Sequence, residues 1–479
     1  MATPGVKMKL SAAKTIMLLL VALMTVPVQG FWRHLCFGEL GTGRVDPIMA
    51  PGTPSGHAHV LFGASNLGLD PTIDELLNSN CTSCSIVQDK SAYWAPRMYF
   101  QHGNGTFETV STVGGMTVYY FTEGPGDGMP TVAFPQNFRM IAGDAMKRSF
   151  YGAIPDPPMS EWKDSDKTQQ ALMEKAIGFN CLHYSAGANE GSIEHHGLRN
   201  KTFIDSTCTD GVRAELMFPS CWNGQDLDSH NHTTHVSYPD QIKYGNCPEG
   251  YPVRLPTLFY ETIYNTPAFK DVDGMFVLSN GDPTGYGYHG DFICGWEEGV
   301  LDSAINHPGC TGTPGDPGSG LQESCPVFKL QSSYDATQCK MEVPEALQNE
   351  LVDFAPALPG NVLIQAGPER AVMPSHPAAS SSESLPSTSG SKSPTLPIAT
   401  TTATSSSAGP TQPEVTNPVT ATNSDPNTDH IISTSTMYMS DGVEIDVILI
   451  EEIVTVTTVE TVPAIEVRKA HLHRHRYKV

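Results

Sequence analysis

The stretch TVGGMTVYYFTE, residues Thr112 to Glu123, decides the fold class. After its Gly-Gly pair, Val118, Tyr119, Tyr120 and Phe121 are β-branched or aromatic residues that favour a pleated, half-buried surface. Working outward, GMFVLSNGDPTGYGYHGDF (Gly274 to Phe292) pairs a short apolar run with an Asn-Gly turn signal. Helical pattern is scarce. KTQQALMEKAIGF (Lys167 to Phe179) is the best helix, built on Ala171, Leu172, Lys175 and Ala176 and ending near Gly178. TIDELLNSN (Thr72 to Asn80) can make one or two turns, with Thr72 as N-cap and Glu75 three residues on. These signals predict a β-rich domain, all-β or α+β, with a few short helices and long irregular connections.

Composition fixes the setting. The 479 residues carry a net charge of -23, which argues against nucleic acid as a partner because a phosphate backbone needs a basic patch. At the N-terminus, Lys7, Lys9 and Lys14 precede the apolar run TIMLLLVALMTVPVQG. A basic flank, a short apolar run and a small-residue end describe a secretory signal over residues 1–30. The run is shorter than the roughly 20 residues a bilayer requires, so no transmembrane segment is expected in the mature chain. All 11 cysteines lie between Cys36 and Cys339. In an oxidising compartment they read as a disulfide framework, with one left over. CTSC (Cys81 to Cys84) lacks a second CxxC and reads as two ordinary disulfide cysteines. Sequons place N-glycosylation candidates at Asn80, Asn104, Asn200 and Asn231.

The expected organisation is a disulfide-stapled globular domain over 31–360, a disordered Ser/Thr/Pro-rich stalk over 361–436, and a β-prone segment over 437–479 with a basic, His/Arg-rich end. The stalk cannot bury enough apolar surface to offset chain entropy. A glycolipid-anchor signal should end apolar, whereas Glu451, Glu452 and Glu460 interrupt this tail and eight basic or histidine residues from Arg468 to Lys478 follow. Such a tail can touch acidic wall polymers or pair as a strand with another chain.

The globular part holds 12 of the 17 histidines, and three clusters stand beside carboxylates. In SGHAHV, an extended backbone puts His57 and His59 on one side, with Asp46 just upstream in RVDPIM. DLDSHNHTTHVSYP contributes Asp226, Asp228, His230, His232 and His235, although a glycan on Asn231 would crowd that cluster. YGYHGDF sets His289 two residues from Asp291 between glycines that let a ligand approach the backbone. Brought together, Asp46, His57, His59, Asp228, His230, His235, His289 and Asp291 would form one shared catalytic site. His57, His59 and His289 are the candidate ligands should a divalent metal take part; taken singly, each histidine is more simply a structural hydrogen-bonding residue. Tyr286 and Tyr288 in GYGY are candidate sugar platforms, as is Trp222. A copper-binding histidine brace is disfavoured because the expected mature start is Phe31-Trp32-Arg33, and no GxSxG elbow is present. Paired-carboxylate chemistry stays open through Asp144, Asp228, Glu261 and Asp291.

Long motifs in order, FWRHLC, RVDPIMAPGTPSGHAHVLFGASN, DKSAYWAPRMYF, FPQNFRMIAGD, FPSCWNGQDLDSHNHTTHVSYP, LPTLFYE and SNGDPTGYGYHGDFICGW, resemble DUF1996, a family of secreted proteins found chiefly in fungi. The resemblance runs from about Phe31 to Leu301. It implies a secreted protein able to associate with the cell wall and a polar site at Arg44, Asp46, His57, His59, Arg139, Asp144, Asp228, His230, His235, His289 and Asp291. Cys294 stands where the family pattern suggests another residue, and so is the candidate odd thiol. Family members joined to carbohydrate-binding modules point towards polysaccharide or cell-wall glycan as the partner. Two functions compete on this footing: a monomeric extracellular enzyme acting on such a polymer, by hydrolysis or with a metal, and a non-catalytic protein that binds glycan or another protein.

Overall fold

A computed structural model describes residues 30–122, 129–186, 190–311, 320–348, 353–372, 430–438 and 444–451. Residues 1–29 of the expected signal peptide and 373–429 of the expected stalk lie outside the described residues.

Two five-stranded antiparallel sheets organise the chain up to residue 372. The first runs in the order Phe31–Cys36, Thr112–Phe121, Thr257–Tyr264, Gly211–Met217, Ile177–Leu182. Its second strand is the stretch that decided the fold class. There Met116, Val118 and Tyr120 are buried, while Thr117 and Tyr119 are half-buried on the opposite face. Gly114 and Gly115 both take positive φ, at 74° and 79°, where the register against Thr262 and Ile263 slips. A Cβ on Gly115 would stand 2.0 Å from the Cys36 carbonyl, so the pair makes a bulge that only glycine accommodates.

The second sheet runs Gly41–Gly43, His59–Gly63, Ala92–Pro96, His289–Ile293, Arg139–Gly143. One face sends Val60, Phe62, Tyr93, Ala95, Met140, Ala142 and Phe292 into the core shared with Trp32, Val118, Tyr120, Leu216, Leu258 and Tyr260 of the first sheet. This is sheet-on-sheet packing with alternate residues inward. Gly290 allows the close approach, since a Cβ there would lie 2.7 Å from Leu216. The other face carries Leu61, Trp94, Ile141 and Ile293 and is covered by Leu40, Val45, Ile48, Met341 and Leu347. At one end of that covered face the apolar residues give way to His59, His289 and Asp291.

Helices are short, as expected. Thr72 and Glu75 form a reciprocal capping box on Ile73–Leu77, and Thr168 caps Gln169–Lys175. The latter stops sooner than expected, because Ile177 and Gly178 already belong to a strand paired with Glu215 and Leu216. Among the described residues, no helix is long and apolar enough to cross a membrane.

Five disulfides close the framework: Cys36–Cys84, Cys81–Cys339, Cys181–Cys208, Cys221–Cys247 and Cys310–Cys325. The two cysteines of CTSC therefore bond elsewhere, not to each other. Cys294 is free and buried, and burial pushes its thiol up to about 12.

The globular fold passes residue 360, where the stalk was expected to begin. Leu358 and Val362 pack with Tyr99, Phe107 and Val277, and Ala371 is buried. Leu, Val and Ile scattered among prolines and glycines still supply a packed edge there. The chain beyond residue 382 forms a separate unit. In it His430–Tyr438 pairs with Glu444–Glu451 as an antiparallel hairpin, the second strand falling in the segment expected to be β-prone.

Candidate functional site

Three of the predicted histidines converge. His57 Nε2 stands 3.1 Å from His289 Nε2, the His57 and His59 rings are 4.4 Å apart, and the His59 and His289 rings 5.7 Å. One nitrogen from each ring lies within 4.8 Å of the other two. Strand alternation sets His289 and Asp291 on one face, and the His59–Gly63 strand, on the far side of Ala92–Pro96, presents His59 on the same face. His57 sits on the loop just before it. That loop is pinned: Ser55 donates to the His57 carbonyl at 2.7 Å, Arg44 donates to the Ser55 carbonyl at 2.7 Å, and Ser279 donates to the Ala58 carbonyl.

The group is buried and incompletely hydrogen-bonded. Burial, reinforced by the neighbouring imidazoles, holds His57 and His59 well below the usual histidine range. His289 is lowered by burial to about 4. Its Nδ1 faces the Gly287 carbonyl at 2.9 Å, and a carbonyl only accepts, so Nδ1 carries the hydrogen. His59 meets the Val45 carbonyl, and neither carboxyl oxygen of Asp291 has a hydrogen-bond partner. Burial and then the nearby Asp46 push Asp291 well above the carboxylate range. Asp46 is itself raised by burial, against the backbone N–H groups of Met49 and Ile48 that it accepts at 3.0 and 3.2 Å.

This cluster forms part of the wall of a cleft of about 680 Å³. Asp46, His57, His289 and Asp291 line it, Met49, Ile141, Met146 and Met173 add apolar wall, and Asp144, Asn231, Thr233 and Arg370 contribute polar lining. Arg370 donates to Asp144 there twice, once at 3.0 Å.

The remaining predicted residues stand elsewhere. His230 is exposed. Asp228 binds His232 at 2.8 Å. His235 is held between the Arg139 carbonyl at 2.8 Å and the Ser229 hydroxyl at 3.0 Å. The 227–233 segment hydrogen-bonds along the Arg139–Gly143 strand through Leu227 and His232, so its own backbone and hydroxyls occupy its polar side chains, and it reaches the cleft through Asn231 and Thr233. Arg139 donates to Asn137 at 3.2 Å, and Trp222 to the Asp226 carbonyl at 2.7 Å. The sugar-platform expectation for Tyr288 is overturned: it shares the strand parity of Phe292, faces the core and is fully buried. Tyr286 is half-buried and stacks with Phe150 instead of lining the cleft. Asn80, Asn104, Asn200 and Asn231 are all exposed, and a glycan on Asn231 would sit at the cleft.

Sequence reasoning missed the residues that shape the loop before His289. Arg148 donates to the carbonyls of Ala145, Lys147 and Asn280 at 2.9, 2.6 and 2.7 Å. Asp282 accepts from Gly287 N–H at 2.6 Å, and the Asn280 amide donates to the Gly287 carbonyl at 2.9 Å. The Asn-Gly-Asp turn was visible; Arg148 and Arg370 carried no local signal. A second histidine grouping, His34 with Cys36 and Cys84, is closed to ligands because the two sulfurs are joined.

Residues 46–296 match the family described as Domain of unknown function (DUF1996). The chain belongs to DUF1996. The matched span opens on Asp46 and contains His57, His59, His289 and Asp291, so the whole cluster is a feature of this chain's DUF1996 domain, while Arg370 lies outside it. Comparison with curated proteins and with solved structures returns no match.

Proposed function

We propose that this DUF1996 protein is an extracellular enzyme directed at polysaccharide or another cell-wall polymer, working in the cleft lined by Asp46, His57, His289 and Asp291. The observation behind the reading is the gathering of buried, under-bonded polar groups on the wall of an open cleft. Each such group costs about 1–3 kcal/mol when left unsatisfied, a cost that a merely structural core avoids and an active site retains. Five disulfides and the basic–apolar N-terminus support an oxidising, extracellular setting. The cleft alternates apolar methionine wall with polar lining, which suits a sugar ring's mixed faces. Hydrolysis there adds water across the scissile bond, the hydroxyl joining the electrophilic carbon and the proton going to the leaving oxygen.

Release of soluble saccharide from chitin, β-glucan and mannan by the purified chain tests the reading. Asp291→Asn and His57→Ala should abolish release while leaving secretion and the circular dichroism spectrum unchanged. Wild-type protein that releases nothing from any of the three, or variants that fail to fold, would remove it.

A second reading, glycan binding without catalysis, is favoured by a different observation. Tyr151 is 71% exposed, lies under the Lys147 ammonium and edges a separate cavity with Phe150, an arrangement suited to stacking on a sugar. Retention on those polymers that Tyr151→Ala abolishes and Asp291→Asn leaves intact would support it.

A further inference from the structure

We infer that His57, His59 and His289 bind a divalent transition ion of borderline softness, Zn2+ first among them, with one coordination position open to the cleft. What the ion would do rests on the catalytic reading above; whether it binds does not.

The spacing fits. Zn–N bonds of about 2.0–2.1 Å at tetrahedral angles put ligand nitrogens about 3.3 Å apart, and His57 and His289 already present their Nε2 atoms at 3.1 Å. The His59 nitrogen completes the triangle within 4.8 Å, a distance that ring tilt can close. The protonation pattern fits as well. Because His289 Nδ1 donates to the Gly287 carbonyl, the neutral ring has its lone pair on Nε2, pointing at His57. A histidine that gives its distal N–H to a carbonyl and its other nitrogen to the metal is the usual way a protein orients a ligand. Without an ion, two Nε2 atoms face each other and one must be a donor; with an ion, both lone pairs have the same target.

His59 makes the stronger point. It is fully buried and meets the Val45 carbonyl, which takes one N–H and leaves the second ring nitrogen for the cluster. A neutral imidazole that gives its one N–H to a carbonyl keeps the lone pair of its other nitrogen, as a metal ligand requires. The donor set then selects the ion. Three imidazoles without a thiolate suit Zn2+, Cu2+ or Ni2+, whereas Ca2+ and Mg2+ take oxygen ligands. Three histidines and an open fourth position is the arrangement of a catalytic zinc site. Asp291, two residues along the same strand face with both oxygens unpartnered, is placed to balance the charge or to accept a hydrogen bond from an ion-bound water.

The C-terminal HLHRHR run offers a rival chelator in His471, His473 and His475, so the test removes it. Full-length secreted protein carrying alanine at those three positions, and no histidine tag, is stripped with EDTA, dialysed and titrated with Zn2+. The expected result is about one ion per chain with a rise in melting temperature, and Co2+ in its place giving the visible absorption of a tetrahedral site. His57→Gln and His289→Gln should each weaken binding by about 100-fold or more with an unchanged circular dichroism spectrum. Retention of less than about a tenth of an equivalent by the tail-substituted parent, with no thermal shift, overturns the inference. So does binding that persists undiminished in folded His57→Gln. Should either variant misfold, the parent's stoichiometry and cobalt spectrum decide.

Discussion

Arg370 and Asp144, 226 residues apart, form a two-pronged ion pair at the cleft. Burial works against the Asp144 charge, and the Arg370 hydrogen bonds outweigh it, leaving Asp144 below the usual carboxylate range. Arg370 itself is largely exposed, with 63% of its side chain open to solvent, so solvent screens the pair. Arg370→Ala should therefore cost less than about 1 kcal/mol of stability. Its effect should appear in substrate affinity, as a raised KM with kcat little changed, because the rim moves and the histidine cluster does not. Chemical denaturation beside steady-state kinetics checks both halves; a stability loss several times larger would make the pair a structural clamp instead.

Glu215 offers a separate test in pH. It is fully buried, accepting from Ile193 N–H at 2.5 Å and the Asn180 amide at 2.7 Å with Arg213 2.5 Å away, and burial still raises it from 4.5 to about 7. The folded state thus holds this proton more tightly than the unfolded chain does. The stability it contributes is complete below the unfolded value and is lost as pH rises through 7, a change on the order of 3 kcal/mol. Urea unfolding at pH 5 and pH 8 should show that fall, and Glu215→Gln should flatten it. A wild-type stability that climbs over the same window would mean Glu215 is ionised throughout.

How far the site was legible follows from which relations are local. His57 with His59, and His289 with Asp291, are two residues apart, and the period of a strand alone places each pair on one side. The same period, applied to Tyr288 and Phe292, would have turned Tyr288 into the core; reading GYGY as a loop concealed it. The histidine-rich DSHNHTTHV looked richest and contributed least. Its side chains serve their own backbone, and composition cannot distinguish a ligand from a turn-former. The approach of His57 to His289 spans 232 residues and depends on strand order, which no local pattern encodes. Arg370 was hidden for the opposite reason, since proline and serine nearby suggested a stalk where Val362 and Ala371 still pack.

The Cys81–Cys339 disulfide spans 258 residues and fastens the segment whose Met341 and Leu347 cover the Leu61, Trp94 and Ile293 face beneath the histidines. A loop of that length places the bond among the more stabilising ones, about 3–5 kcal/mol on chain-entropy grounds. Cys81→Ala with Cys339→Ala should lower the denaturation midpoint accordingly. Cys294, unpaired and buried, should stay unreactive to a thiol reagent in the native double variant and react once it is unfolded. Labelling of Cys294 before unfolding would mean that the core between the two sheets, where it packs, has opened.

The last prediction concerns what the cluster costs. Asp291 is fully buried and neither of its oxygens is hydrogen-bonded, although Asp46 lies near enough to oppose its charge. A carboxyl group in that position weakens the fold whenever it ionises, and an amide of the same shape cannot ionise and opens no cavity. Asp291→Asn should accordingly raise the stability of the metal-stripped protein by about 1–2 kcal/mol, while turnover falls away. Thermal and urea unfolding of stripped wild type and variant, side by side, measure the first half; saccharide release measures the second. If the substitution destabilises instead, Asp291 has a partner that holds the fold together and is no longer a residue kept at the expense of stability. If stability rises and turnover survives, the cleft's chemistry belongs to the three histidines without it.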